Sequence, residues 1–403
     1  ALDSLGRGEQ AIARIRDALA SIDETKAPPE VVADLQSSLA RALAFSGHGD
    51  EAVGPIEQAL TLAQHYELAE PLTFSLNSKA ALLMWAGRIE EARSAFELVI
   101  SLARRHGITE REMIAEGNLA EMCMTLDLPG AEEHAEAALA LARRWGLREQ
   151  EAWAAGLLTY SLTMAGHLDE ASRLWTELLQ EGGDLPRFGG QWPLAHLETL
   201  RGNLEGARKH VVALSAWSES DDIQEKSAYG AIDAAVSHLG GDSPHALETA
   251  RRAIDEAIGG GIGVAHEAVR IAFPVAIDAA LDIDDLEEAD RLANVLAERP
   301  RGEVPPFLRA EVTRAKALVS SARGDDGDVE ESLVAAESTL RDLGYPYWTA
   351  RAQLDRAEWL AGRDRWSEAA RLAGEAAATF ERLGTEPMLA RAQAVSMATV
   401  DAR

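Results

Sequence analysis

The sequence predicts an all-α solenoid in which about ten helix pairs stack side by side. A short cassette recurs along the 403 residues: an apolar helix, a glycine, three variable residues, an acidic residue, an alanine and a second helix. Apolar residues on both sides of the cassette follow the three- and four-residue spacing of an amphipathic helix. Because one such pair cannot bury its own apolar face, neighbouring pairs are expected to cover one another.

The small residue that follows each turn sets the register of the repeat. These residues recur about every 40 positions, which is longer than the standard repeat of ~34 residues. The register residues are Ala11, Ala52, Ala92, Ala131, Ala171, Ala207, Ala246, Ala289, Ser332 and Ala369.

The residue types of the cassette have a physical explanation. Gly87 and Gly166 come just after the first helix, where glycine adopts the left-handed conformation that ends a helix. Glu91 and Glu170 begin the second helix, whose N-terminus favours negative charge. Ala92 then lies where the two helices cross closely.

We expect one continuous superhelix over residues 1–403. Within it, 1–26 is a truncated first repeat and 385–403 is a C-terminal capping helix. The glycine-rich stretches 181–193 and 258–263 are two candidate bends. Because the first repeat starts halfway through, the chain is expected to be part of a longer protein.

The glycine run at 258–263 has a second interpretation, since glycine-rich turns at helix N-termini bind phosphates. The run lacks the Gly-Lys-Ser/Thr ending of a P-loop and follows a helix instead of a strand. A plain turn between helices is therefore favoured.

Composition limits the class of protein. The net charge of −28 opposes contact with phosphate backbones, so no nucleic-acid partner is expected. Cys123 is the only cysteine, which excludes an internal disulfide and a thiolate zinc site. No apolar run reaches the ~18 residues of a membrane span, and no secretion signal is visible, so a cytoplasmic protein with no membrane partner is expected.

The cassettes at 87–92 and 166–171 resemble those of the tetratricopeptide repeat (TPR) superfamily. Ala80 and Leu83 match the small and the large apolar residues that precede the turn in that family, whereas Lys79 stands where the family usually has leucine. The resemblance implies a right-handed TPR-like superhelix with the first helix of each pair on its concave side.

A narrower resemblance involves the segments 301–309, 343–348, 357–360 and 380–387. They are similar to the C-terminal TPR region of large bacterial proteins that join a class III adenylate/guanylate cyclase domain to an AAA-type ATPase domain. The repeat region of large ATP-binding LuxR-type transcription regulators is also similar. Either resemblance implies the regulatory arm of a signalling protein.

Motifs of catalytic and metal sites are missing from the sequence. The ten histidines never form the His-x-x-x-His pair of a helical zinc site, and no Gly-x-Ser-x-Gly nucleophile motif occurs. Acidic pairs such as Glu90-Glu91 lie at helix starts, where the helix dipole explains them. We therefore expect no enzymatic activity, no cofactor and no metal.

Counting back from each turn gives the residues expected on the concave groove. Aromatic and methionine side chains dominate this set, as in surfaces that bind a peptide or a ligand, although such side chains also pack between neighbouring helices. The groove residues are Arg41, Phe45, Asn77, Met84, Trp85, Glu121, Met124, Trp153, Tyr160, Met164, Trp192 and His196.

Two functions follow from these observations. The first is a non-catalytic scaffold whose groove binds a protein, a peptide or another domain of the same chain. The alternative is a small-molecule sensor with an apolar pocket near Met84, Trp85, Tyr160 and Trp192. Self-association through the end faces of the superhelix is a further expectation.

Overall fold

A computed structural model describes residues 7–23, 26–182 and 190–401. Within these ranges the chain forms twenty α-helices, one short 3₁₀ helix at Ser215–Glu219 and no strand. The α-helices are α1 (Gly8–Ser21), α2 (Pro29–Phe45), α3 (Gly49–His65), α4 (Ala69–Trp85), α5 (Ile89–His106), α6 (Thr109–Thr125), α7 (Ala131–Trp145), α8 (Arg148–Met164), α9 (Leu168–Gly182), α10 (Gln191–Arg201), α11 (Leu204–Ala213), α12 (Ile223–Leu239), α13 (Ser243–Gly259), α14 (Glu267–Asp282), α15 (Leu286–Ala297), α16 (Pro306–Ala322), α17 (Val329–Asp342), α18 (Pro346–Ala361), α19 (Trp366–Leu383) and α20 (Glu386–Asp401).

The helices form two layers. Each even-numbered helix packs on the odd-numbered helix that follows it and, in most cases, on the next even-numbered helix as well. The even-numbered helices are therefore covered on several sides, and α8 and α14 are buried over most of their length. Odd-numbered helices such as α5 and α7 bury a single face. We call the two sets inner and outer helices.

The turn from each inner helix to its outer partner has a left-handed residue shortly after the inner helix ends. Glycine adopts this conformation at little cost, and Asp tolerates it better than most other residues do. These residues are Gly47, Gly87, Asp127, Gly166, Gly202, Gly241, Asp284, Gly324 and Asp364, and the turn from α6 to α7 has a second one, Gly130. Of the ten register residues, all but Ala131 and Ser332 are buried in the outer helices. The predicted all-α solenoid of helix pairs is confirmed.

The superhelix is wound so tightly that its successive turns touch. We call the inner helices α2, α4, α6, α8 and α10 the first turn, and α12, α14, α16, α18 and α20 the second turn. The end of each first-turn helix meets the segment that begins the helix five pairs later. The contacts join Gly47 to Ile223, Trp85 to Gly263, Asp127 to Phe307, Gly166 to Pro346, and Gly202 to Pro387.

Glycine is required where the turns meet. Gly166 has φ +82°, and a Cβ atom added there would overlap the ring of Pro346. Gly263 also has φ +82°, and its Cβ would lie 3.2 Å from the carbonyl oxygen of Trp85. These glycines thus allow the close backbone approach between the two turns.

The predicted segments fall partly outside the described ranges. The predicted first repeat, 1–26, contains the outer helix α1, and 1–6 and 24–25 lie outside the described residues. Most of the candidate bend at 181–193 lies outside them too, because 183–189 are not described. The stretch 258–263 ends α13 and leads into α14.

Candidate functional site

The twelve predicted groove residues lie on inner helices, where the structure separates them into two clusters and a remainder. The first cluster surrounds Trp85 at the end of α4. The Phe45 ring contacts the Trp85 ring edge-on at a centroid distance of 5.4 Å. The Arg41 guanidinium lies 4.4 Å from the centre of the Phe45 ring. Met84 and Glu121 line the same cavity as Trp85.

The second cluster surrounds Tyr160 on α8. Its ring centre lies 5.2 Å from that of Trp192 and 5.6 Å from that of His196. Met164 accepts a hydrogen bond at its sulfur from the Trp348 indole, over 3.3 Å. The second turn therefore covers this part of the first turn, and these residues do not line an open groove.

The other three predicted residues pack between neighbouring helices. Asn77 accepts a hydrogen bond from the side-chain amide of Asn118 over 3.0 Å. The Trp153 indole lies flat against Gly117, where an added Cβ would overlap the ring. Met124 is buried in the main core. None of the three lines the cavities around Trp85 and His196 or the cleft beside Lys79.

Asp127 of the first turn forms hydrogen bonds with three residues of the second turn. Its carboxylate accepts hydrogen bonds from Arg270 Nη2 over 2.7 Å, from the backbone N–H of Phe307 over 2.7 Å and from the hydroxyl of Tyr345 over 2.9 Å. Arg270 also donates to the carbonyl of Thr125. The Asp127 and Arg270 side chains are completely buried, so this ion pair is shielded from solvent screening.

A second buried network lies further along the axis. Arg314 donates to Asp278 over 2.9 Å and also to Asp355, and Arg351 binds the other oxygen of Asp278. Burial alone would raise the pKa of Asp278, but Arg351 and Arg314 outweigh it and hold that pKa well below its usual range. This network fixes α14, α16 and α18 relative to one another.

Beside the second network is a cavity of about 280 Å³, which we call the His196 cavity. Its walls come from α10 of the first turn and from α12, α14, α18 and α20 of the second turn. Tyr347 and Trp348 form an aromatic wall, Arg351 and Asp278 lie at one side, and His196 lies on the α10 side.

His196 is the unusual group in this cavity. It is only 4% exposed, and neither of its ring nitrogens has a hydrogen-bond partner among the residues that the structure describes. Burial lowers its pKa to about 4, so the ring is neutral near pH 7. A neutral imidazole has one donor and one acceptor to offer.

The second enclosed space, which we call the Trp85 cavity, has a volume of about 210 Å³. Met84 and Trp85 at the end of α4 and Glu121 on α6 form one wall. The loop that runs through Gly263 to His266 forms the other.

A wider cleft of about 770 Å³ opens beside the Trp85 cavity. Charged residues of the first repeats, among them Lys79 and Arg88, line one side, and the glycine run at 259–261 lines the other.

Sequence reasoning missed the groups that hold the turns together, namely Asp127, Arg270, Phe307 and Tyr345. Two signals were available. An aspartate stands at 127 where most other repeats have the turn glycine, and Arg270 interrupts the otherwise apolar stretch 268–277. Both are polar residues in positions where the repeat calls for none.

Neither a metal site nor a membrane span is found in the described ranges. No group of three or more His, Cys, Asp or Glu residues there could hold a metal ion. None of the helices searched has the length and apolar character needed to cross a bilayer.

Comparison with known proteins assigns no family to the chain. No protein-family model matches the chain, and no curated protein matches it. A solved structure of a monomeric mutant of IFIT1 with m7Gppp-AAAA covers 100% of this chain and 95% of that chain, at 14% identity and a TM-score of 0.34. A circular tandem repeat protein covers 99% and 97%, at 16% identity and a TM-score of 0.16. Scores this low carry no argument, and the helical repeat is assigned from the helix pairs themselves.

Proposed function

We propose that this chain is a non-catalytic regulatory arm that binds a small molecule in the His196 cavity. The observation that carries the proposal is the buried His196 ring, whose two nitrogens have no partner among the described residues. A buried polar group without a hydrogen bond costs about 1–3 kcal/mol, and a ligand that satisfies it recovers that cost.

The walls of the cavity indicate the kind of molecule. Tyr347 and Trp348 offer aromatic surface to an apolar body, while His196 offers one donor and one acceptor to a neutral polar group. Asp278 and Arg351 already neutralise each other, so the site favours no net charge. A volume of about 280 Å³ is close to the lower end of the ~300–1,000 Å³ usual for ligand pockets.

Binding there would act on the whole superhelix. The walls come from both turns, and the ligand would therefore contact α10 together with α18 and α20. A ligand that binds only when the two turns are in contact stabilises that state by mass action. This gives the arm a way to report ligand binding to an attached domain.

The open cleft beside Lys79 and Arg88 supports a second candidate function, the binding of a protein, a peptide or another domain of the same chain. At about 770 Å³ it has room for a polypeptide segment. Exposed Met397 on α20, 69% accessible, offers a contact for self-association at the end of the superhelix. Leu2 and Leu5, at the other end, lie outside the described residues.

The larger protein would be a bacterial signalling protein of the cyclase and ATPase type, or a LuxR-type regulator. The support is the sequence resemblance alone. The two kinds of protein differ in the domains that the gene encodes beside the arm. A protein of the cyclase and ATPase type has those domains before it, whereas a LuxR-type regulator has a DNA-binding helix-turn-helix after it. The absence of nucleic-acid binding through this segment stays a prediction from the net charge of −28.

A thermal-shift screen against neutral aromatic and heterocyclic metabolites tests the sensor proposal. We expect a compound that raises the melting temperature with concentration in the wild type but not in His196→Gln. His106→Gln, a substitution at an exposed histidine, should respond like the wild type. If the hits stabilise His196→Gln equally well, or if no compound stabilises the wild type, the proposal is wrong.

A pull-down with the chain as bait tests the second candidate. A protein partner of the cleft should be lost with Arg88→Glu and retained with Arg105→Glu, a charge reversal at an exposed arginine away from the cleft. Equal retention by both variants would exclude the cleft as the binding surface.

A further inference from the structure

One acidic residue lines the Trp85 cavity and a second lies close to it, both without a matching cation among the described residues. Glu121 of α6 lines the cavity, and Glu267 at the start of α14 is close enough to interact with it electrostatically. The Glu267 side chain is about 10% exposed. Among the described residues, no lysine or arginine forms an ion pair with either carboxylate. Buried carboxylates are normally paired with a cation or take up a proton.

Two donors without partners belong to residues on the cavity wall. Trp85 Nε1 is buried and has no hydrogen-bond partner among the described residues, and the same holds for His266 Nε2. The His266 side chain is 2% exposed. Its Nδ1 accepts a hydrogen bond from the backbone N–H of Ala268, so the ring proton of the neutral form is on Nε2. That nitrogen lies 3.3 Å from Glu267 Oε1 without hydrogen-bond geometry.

We propose that the Trp85 cavity binds a small organic cation: an amine whose ammonium group lies between Glu121 and Glu267 and which also carries a hydroxyl or carbonyl oxygen. The ammonium group supplies the donors that the two carboxylates lack. The oxygen accepts hydrogen bonds from Trp85 Nε1 and His266 Nε2. The face of the Trp85 indole adds a cation–π contact, which is worth more in a buried site than on an exposed surface.

Other ligand classes fit this cavity less well. A metal ion is disfavoured because no group of three or more possible ligands is found in the described part of the chain. Phosphate, the other interpretation of the glycine run, would be repelled by the acidic pair. The only arginine on the cavity wall, Arg299, is already paired with Glu303 over 3.3 Å.

The size of the cavity limits the amine. About 210 Å³ corresponds to roughly seven water molecules at ~30 Å³ each. The wall cannot recede easily on one side, because Gly263 lies directly against the Trp85 carbonyl. The ligand therefore has few heavy atoms, on the scale of ethanolamine or 3-aminopropanol.

Binding should release a proton. Burial, followed by the charges of Glu267 and Asp222, raises the pKa of Glu121 to about 8. The other titratable groups around the cavity are His266, whose pKa burial lowers, and the paired Arg299 and Glu303. An ammonium ion favours the charged carboxylate. Affinity should therefore rise with pH below pH 8, by at most about tenfold per pH unit.

Isothermal titration calorimetry of the whole chain with ethanolamine and with 3-aminopropanol tests the proposal, with ethylene glycol as the uncharged probe. At about pH 8 we expect saturable binding of at least one amine and none of the glycol. At about pH 6.5, titrations in two buffers of different ionisation enthalpy should show proton release. Glu121→Gln keeps the shape of the side chain and should weaken binding by about tenfold or more. Glu132→Gln, a substitution on the exposed side of α7, should leave binding unchanged.

Three results would overturn the proposal: no saturable heat with either amine, equal binding of ethylene glycol, or an affinity that Glu121→Gln leaves unchanged. Circular dichroism of Glu121→Gln shows whether a loss of binding reflects misfolding. Trp85→Phe is a second variant that should also bind the amines more weakly, because it removes the indole N–H and part of the ring. His196→Gln should bind the amines like the wild type, so this outcome is separate from that of the proposed function.

Discussion

Replacing Asp127 by alanine should separate the two turns of the superhelix. The substitution removes three hydrogen bonds to the carboxylate and leaves the buried guanidinium of Arg270 without its ion-pair partner. Breaking a buried pair in this way costs about 3–5 kcal/mol. Alanine at φ 57° adds about 1–2 kcal/mol of backbone strain.

Asp284→Ala is the matched control for this prediction. Asp284 has φ 60° at the equivalent turn after α14, and its side chain is exposed and forms no ion pair with the described residues. The control therefore includes the backbone strain but not the loss of the buried pair. The difference between the two variants in free energy of unfolding isolates the contribution of the Asp127 carboxylate.

Urea unfolding followed by circular dichroism measures this difference, and hydrogen exchange locates it. The Phe307 amide, which donates to Asp127, should lose its protection in Asp127→Ala and keep it in Asp284→Ala. Small-angle scattering should also show a larger radius of gyration for Asp127→Ala. A difference of less than about 1 kcal/mol between the variants, with Phe307 still protected, would refute the reasoning.

Three further predictions concern backbone contact and pH. Gly166→Ala should lower the free energy of unfolding by about 1–3 kcal/mol more than Gly107→Ala, because both residues are left-handed but only the Cβ at 166 would overlap Pro346. Because burial lowers the pKa of His196 to about 4, the folded protein keeps this ring neutral at pH values where the unfolded imidazole, with a pKa of about 6.5, takes up a proton. As pH falls from about 6.5 to about 4, the free energy of unfolding of the wild type should therefore fall by roughly 3 kcal/mol relative to that of His196→Gln. Glu121 has a raised pKa, so its contribution to stability is lost as pH rises from about 4.5 towards 8. Across that range the melting temperature of Glu121→Gln should therefore rise relative to that of the wild type.

Each of these predictions has a result that would contradict it. Equal unfolding free energies of the two glycine variants would mean that the turns are not in contact at Pro346. An NMR titration that places the pKa of His196 near 6.5 would mean that water reaches the ring. A constant difference in melting temperature between Glu121→Gln and the wild type at all pH values would mean that Glu121 is charged throughout.

The repeat could be predicted from the sequence because its signals are local. Gly87, the acidic residue of each cassette and the register residue Ala92 act within one or two helical turns of each other. The helix pairs and their order along the chain follow from these residues alone. Of the residues that the same reasoning selected on the inner helices, Met84, Trp85 and Glu121 line a cavity.

The environment of that face could not be predicted in the same way. Arg270 and Asp127 are 143 residues apart, and no periodic pattern links positions at that distance. Tyr160 and Trp192 were therefore placed on a groove open to a partner, whereas the second turn of the same chain covers them. Whether an aromatic residue binds a ligand or packs depends on the pitch of the superhelix, which accumulates from small rotations at every pair.

Contact between the turns has a consequence for how the protein is made. Asp127 meets Phe307 and Tyr345, which lie 180 and 218 residues later in the chain. At about 5–20 residues per second, the ribosome needs roughly 9 to 36 s to deliver Phe307 after Asp127 has emerged. During that interval the first-turn helices can pair with one another, but the surface that the second turn covers in the complete chain is still exposed to solvent. A nascent chain with so much uncovered apolar surface is a natural client for chaperones.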